Sequence, residues 1–365
     1  MRIQEVIAHL ENIAPPSLQE SYDNAGLITG DGDRLCTGVI VCLDSTTDVI
    51  DEAIRSGANL VVAHHPIIFS GIKKLNGKNY VEKAVILAIK NDIAIYAIHT
   101  NLDNIIGGVN KQMADKLGLV NRKVLLPKKD QLEKLYVFVP STHEEKLKDA
   151  LFEAGAGSIG NYSECSFSTP GTGSFTGGKD TNPYLGTPGE RHMEEERRIE
   201  VIFPAYLEGR VLKAMRAVHP YEEIAFDLVK LGNEFNGLGS GLIGELEVPL
   251  DATEFLTFIK SAFQLQVLKH TAFPKKPVKV ISLCGGAGSF LINRALAANA
   301  DVYITGDIKY HEFFDANDRI LVCDIGHFES EQFTIDLLYD ILREKFTNFA
   351  VLKTKVKTNP VHYFF

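Results

Sequence analysis

Asn59-Leu60-Val61-Val62-Ala63-His64-His65-Pro66 is the stretch that decides how this chain folds. Its unbroken apolar run reads as a strand buried on both faces. Pro66 has no N–H to give a ladder, so the strand stops there. Two imidazoles are left at the strand's C-terminal end, where they are costly unless something binds them. Crevices outside the carboxyl ends of strands are where open α/β sheets gather function.

The same grammar extends in both directions. Residues 2–13 show helical spacing through Ile3, Val6, Ile7, Leu10 and Ile13, and 38–44 read as a second buried strand. Thr47–Arg55 predicts a helix with acidic residues in its first turns. Tyr80–Asn91 predicts another helix, 93–98 a third strand and Asn110–Leu117 a further helix. Strand–helix alternation with wholly apolar strands predicts a mainly parallel sheet covered on both faces.

The character changes at Pro127-Lys128-Lys129-Asp130. A strand at 135–140 and a helix at 143–154 lead into a Gly/Ser/Thr/Pro-rich stretch, 155–189, that reads as a long mobile loop or extended arm. A strand at 198–204, a helix at 207–218 and a strand at 224–231 follow, with room for one more strand near 162–167. That is the order of a ferredoxin-like split βαβ unit. It reads as an insertion, because α/β alternation resumes with helices at 251–263, 289–298 and 328–346 and strands at 278–283, 302–305, 320–323 and 349–352. Two related sheets and one shared core both fit this order. The predicted divisions are 1–127 and 237–365 for the two parts of an α/β core and 128–236 for an inserted α+β domain.

Composition narrows the class. The 365 residues are 45% apolar and 23% charged, with a net charge of −9 and a pI of about 5.7. That balance argues against nucleic acid or an anionic membrane as the main partner. Five cysteines, an odd number with no CxxC, read as free thiols in a reducing compartment. The first residues suggest an amphipathic helix rather than a signal peptide, and no apolar run approaches the roughly 20 residues of a membrane helix. The expected location is cytoplasmic.

Chemistry concentrates at three strand ends. His99-Thr100-Asn101-Leu102-Asp103 follows one strand, and Asp324-Ile325-Gly326-His327-Phe328-Glu329-Ser330-Glu331 another. His327 and Glu331, four apart, share a helix face. Converging with His64 and His65, they form a set of three imidazoles and two carboxylates: His64, His65, Asp103, His327 and Glu331. Five ligands exceed the usual three of a mononuclear catalytic site, and two cations sharing a carboxylate fit better. The donor types suit Zn, Mn, Fe, Co or Ni, not soft-metal sites. Other readings stay open: Asp103 can cap a turn, and His327 with Glu331 can be a solvated helix pair.

Around this set, His99 suits a supporting partner or a proton carrier, and His311, after the 302–305 strand, an acid/base group or a surface residue. Tyr22 and Asp23 either cover the crevice or pack. Gly285-Gly286-Ala287-Gly288 follows a strand but lacks a glycine at 291 and a P-loop lysine, so it reads as a tight turn. His219-Pro220-Tyr221-Glu222-Glu223 reads as a rigid helix–strand connection.

These motifs, with Ser21-Tyr22-Asp23-Asn24-Ala25-Gly26-Leu27 and Thr305-Gly306-Asp307-Ile308-Lys309-Tyr310-His311, resemble those of the NIF-three-like family, whose members are often labelled GTP cyclohydrolase I type 2 homologues. The resemblance covers 1–125 and 240–365, and 130–235 is similar to the PII/CutA-like insert of longer bacterial members. It implies a NIF-three-like two-part α/β core with a ferredoxin-like insert. It also implies a dinuclear centre of two divalent ions at the five ligands, and a homohexamer capped by trimers of inserts. A metal-dependent hydrolase of a small, nucleotide-like substrate is the expected function. A non-catalytic regulatory protein or metal chaperone, and a scaffold with structural metals, are the alternatives.

Overall fold

The computed structural model describes residues 1–274 and 276–364. The chain divides into two compact units, one of residues 1–127 and 236–364, the other of 128–235.

The first unit holds two sheets. In one, the strands run Gly26–Thr29, Ala94–Ala97, Leu60–Ala63, Val39–Cys42, Val351–Lys353 in spatial order, parallel except for the first. Every residue of its three central strands is buried. This is why those strands read as unbroken apolar runs. One face is covered by helices Ile3–Ile13 and Thr334–Lys345, through Ile3, Val6, Leu10, Leu338 and Leu342. The other is covered by helices Thr47–Ser56 and Tyr80–Lys90, through Val49, Ile50, Ala84 and Val85. Each fully buried aliphatic side chain contributes about 1.5–3 kcal/mol. Gly57, at φ +72°, ends the Thr47–Ser56 helix in the left-handed conformation. The Asn79 side chain starts the Tyr80–Lys90 helix by accepting from the Glu82 N–H at 2.9 Å.

The second sheet runs Lys269–His270, Leu321–Asp324, Val302–Gly306, Val278–Ala287, Gly239–Leu250, Val120–Pro127. Its 278, 302 and 321 strands are parallel and the outer ones antiparallel. The two halves of the chain therefore exchange edges. Residues 351–353 complete the N-terminal sheet, and 120–127 complete the C-terminal one.

The second unit is one antiparallel sheet of Ser166–Thr176, Arg191–Pro204, Leu132–Pro140 and Phe226–Leu231, with helices Glu144–Glu153 and Glu208–Val218 on one face. Its strands stand in the order second, third, first, fourth, which is that of a split βαβ unit.

Three sequence expectations are corrected. The stretch 155–189 is not loop throughout: 166–176 is a strand that pairs with 191–204 from Ser166↔Val201 to Thr176↔Arg191, later and longer than the one with room near 162–167. Much of the Ser166–Thr176 strand is exposed, so no apolar alternation marks it. The helix expected over 328–346 is two, His327–Glu331 and Thr334–Lys345. Phe333 packs into the core of the second sheet while Leu338 and Leu342 pack into that of the first, so the chain turns between the two cores. The strands Gly26–Thr29, Val120–Pro127, Gly239–Leu250 and Lys269–His270 were not expected. Among the described residues, no helix is long and apolar enough to cross a membrane, and all five cysteines are free thiols.

Candidate metal centre

Strand pairing carries His64 and His65 past the end of their strand. The His64 N–H donates to the Cys42 carbonyl at 3.1 Å, and that of His65 to the Leu43 carbonyl at 2.9 Å. Ala63 pairs with Ala97, so Ile98 and His99 leave the sheet beside them. His99 then starts the short helix Thr100–Asp103, which carries Asp103. In the second sheet, Thr305 pairs with Asp324, and Gly326, at φ +91°, turns the chain into the His327–Glu331 helix. Gly286, at φ +63°, lies where a Cβ would come within 2.4 Å of Glu331 Oε1. Gly285 and Gly286 thus lie at the end of the Val278–Ala287 strand rather than in the tight turn expected there, and Gly286 makes room for a carboxylate.

Each imidazole is tethered through Nδ1. His64 donates to the Ile98 carbonyl at 2.9 Å, His65 to Asp44 Oδ1 at 2.8 Å, His99 to Asp23 Oδ1 at 2.8 Å and His327 to Asp307 Oδ2 at 2.8 Å. That tether fixes the ring and leaves Nε2 as the atom available to a ligand, the arrangement that metal-ligating histidines adopt. Glu331 lies between them. Its Oε2 is 2.9 Å from His65 Nε2 and 3.1 Å from His327 Nε2, and its Oε1 is 3.8 Å from His64 Nε2. Asp103 Oδ1 is 3.6 Å from His64 Nε2. The ligand atoms fall into three groups, each within 4.8 Å: His64, Asp103 and Glu331; His65, His327 and Glu331; and His64, His65 and His99.

The electrostatics are those of a site built for positive charge. Burial disfavours the His65 imidazolium, but hydrogen bonds to Asp44 and Glu331 overcome it and lift its pKa to about 10. Burial likewise opposes the His327 cation, and Glu331 and Asp307 raise it to about 9. Burial alone would raise Glu331, yet its three imidazole neighbours hold it well below the carboxylate range. Burial and the Glu331 charge push Asp103 well above that range. His64 Nε2 and Asp103 Oδ1 are buried and have no hydrogen-bond partner. Buried polar atoms are rarely left unpaired, and a cation between these two would satisfy both. The residues fit divalent metal ions.

All five expected ligands, with His99, come together in these groups. His311 is in none of them; it is exposed on the turn Tyr310–Ala316, its ring against those of Tyr310 and Phe314. Tyr22 is exposed and its ring lies 6.5 Å from that of Phe69, which is 6.3 Å from His99. His219 is buried and bonds the Phe138 carbonyl at 2.9 Å, so in the second unit it ties the 219–223 connection to the sheet. Asp44 is a supporting residue that the sequence motifs do not mark. It ends a buried strand as His64 does, and that position was the available signal.

The sequence model of Duf34/NIF3 (NGG1p interacting factor 3) matches residues 1–360. The chain is 40% identical over 362 residues to a "GTP cyclohydrolase 1 type 2 homolog" of Halalkalibacterium halodurans, covering 98% of this chain and 97% of that protein. A protein of the same name from Bacillus subtilis is 38% identical, covering 89% of this chain and 88% of its own length. A crystal structure of a Bacillus cereus protein related to NIF3 superposes with a TM-score of 0.88 at 37% identity, covering 100% of this chain and 99% of that one.

Proposed function

The chain belongs to the Duf34/NIF3 family, and from that premise we propose that it binds two divalent cations and hydrolyses a small, nucleotide-like substrate. The observation that carries this reading is the unpartnered pair His64 Nε2 and Asp103 Oδ1 amid imidazoles tethered at Nδ1. One ion would be held by His64, Asp103 and Glu331, the other by His65, His327 and Glu331. Two such cations would supply Lewis acidity, lowering the pKa of a water toward neutrality and polarising a carbonyl or phosphoryl oxygen.

The protein's own part is to orient and to move protons. Asp23 accepts from His99 Nδ1 and also takes the Thr100 hydroxyl at 2.6 Å and the Thr100 N–H at 3.1 Å. Burial opposes its charge, but these bonds hold its pKa at about 2. The Asp23 carboxylate therefore fixes the tautomer of His99, whose Nε2 serves as acid or base beside the ions. His99 is better placed for this role than the exposed His311.

The label carried by relatives points to GTP as the first substrate to try. The test pairs elemental analysis of protein never exposed to chelator with a hydrolysis screen of GTP, other nucleotides, phosphodiesters and cyclic amides. Two ions per chain and turnover lost in Asp103→Ala are expected. Two ions without turnover favour the regulatory or metal-chaperone reading, and well below one ion per chain overturns the centre itself. Asp44→Ala is expected to weaken binding of the ion at His65 by about 10–100-fold, read by competition with a chromophoric chelator.

We also propose that residues 128–235 are a PII/CutA-like insert and that the protein is a homohexamer with inserts as trimeric caps. The support is the split-βαβ strand order and Phe167, which pairs with Glu200 and is 64% exposed. Light scattering of Phe167→Glu, expected to yield smaller assemblies than wild type, checks it.

A further inference from the structure

The last residues run from the edge strand Val351–Lys353 along the first sheet. The Thr354 N–H donates to the Val41 carbonyl at 3.0 Å, and the Lys355 N–H to Glu52 Oε1 at 2.9 Å. The Thr358 hydroxyl then donates to Asp44 Oδ2 at 2.6 Å. Asp44 Oδ1 is the atom that accepts from His65 Nδ1. A few residues on, Asn359 Nδ2 and the Tyr363 hydroxyl reach Glu329 Oε1 at 3.0 and 3.2 Å. Glu329 sits on the short helix that carries both His327 and Glu331. One segment therefore touches the support of a ligand from the first sheet and the helix bearing two ligands from the second.

We infer that residues 354–363 are a strap belonging to the metal centre, and that Thr358 is a positioning residue acting on His65 through Asp44. This rests on the cation-binding reading above. A carboxylate held only by the imidazole can rotate about its Cβ–Cγ bond and carry the ring with it. Occupying Oδ2 with a hydroxyl stops that rotation and leaves Oδ1 aimed at Nδ1. The Thr358–Asp44–His65 chain thus does for this imidazole what a backbone carbonyl does for His64. At the other end, the bonds to Glu329 hold the His327–Glu331 helix at a fixed distance from the same carboxylate. The ion between His65, His327 and Glu331 is the one whose ligands the strap sets. The ion between His64, Asp103 and Glu331 shares only Glu331 with it.

The test compares full-length wild type, Thr358→Val and Thr358→Ser. Cobalt(II) is titrated against a chelator, and the cobalt absorption bands are recorded. In metal-free protein, the ¹⁵N–¹H resonance of the His65 Nδ1 proton is followed as well. Thr358→Val is expected to weaken the His65-side ion by about 3–10-fold, less than the roughly 10–100-fold typical of losing a ligand's direct partner. It should shift that ion's bands and move the His65 proton resonance upfield, with the other ion within about twofold of wild type. Thr358→Ser, which keeps the hydroxyl, should behave as wild type. Equal affinities and an unmoved resonance in Thr358→Val overturn the strap while leaving the two-ion centre standing. Wild type that binds no cobalt overturns the centre and the strap's role in it together.

Discussion

Glu331→Gln is expected to empty both halves of the centre at once. Oε1 faces His64, and Oε2 faces His65 and His327. Among the described residues, no other carboxylate belongs to both of the groups that Glu331 joins. The amide keeps the size of the side chain but removes its charge, and it aims a donor N–H at imidazoles that must themselves stay unprotonated to bind a metal. Cation affinity should fall at both positions by well over the roughly 100-fold upper range for losing an outer partner. Asp103→Ala, by contrast, should spare the ion held by His65 and His327. Elemental analysis and chelator competition on the two variants separate these outcomes. Equal occupancy in Glu331→Gln and wild type would show that Glu331 bridges nothing.

Gly108→Ala is expected to have the largest effect on stability. A Cβ at this position would lie 1.8 Å from the Leu102 carbonyl oxygen and 3.1 Å from that of Ile105, both backbone atoms. The residue sits at φ −86°, ψ −146°, just before helix Val109–Lys116. Relief requires the turn after Asp103 to move. That turn is tied to the following helix by Asn110, whose side-chain amide donates to the Asp103 carbonyl at 3.1 Å. A cost of about 3 kcal/mol or more is expected, at the upper end for overpacking. For a unit of this size that lowers the melting temperature by roughly 6–12 °C. Gly107→Ala is the control. It has open space around its Cβ position and is expected to change stability by less than about 0.5 kcal/mol. A thermal melt decides between them, and similar melting temperatures for the two variants would refute the steric account.

The site was more legible in the sequence than its supports were. Strands buried on both faces give unbroken apolar runs, so a polar side chain where such a run stops stands out; His64, His65, Asp103 and His327 were all found this way. Asp44 stands at the same kind of position, but a single acid after a strand is too common to mark a site. Thr358 left no trace, because a hydroxyl in a polar tail looks like any other. The Ser166–Thr176 strand failed for a related reason: where most of a strand faces water, selection on its apolar pattern is absent. The Gly239–Leu250 strand opens on Gly-Ser-Gly, and these residues suggest a turn.

The exchange of edge strands has a consequence for how the protein comes into being. Synthesis proceeds from the N-terminus, yet the N-terminal sheet gains its border strand from 351–353, and two of the centre's residues stand at 327 and 331. A growing chain can assemble the group of His64, His65 and His99 early, but the groups His64, Asp103, Glu331 and His65, His327, Glu331 stay incomplete until residue 331 has been made. Both groups that share Glu331 are therefore late products of synthesis, assembled only when the two sheets have formed together.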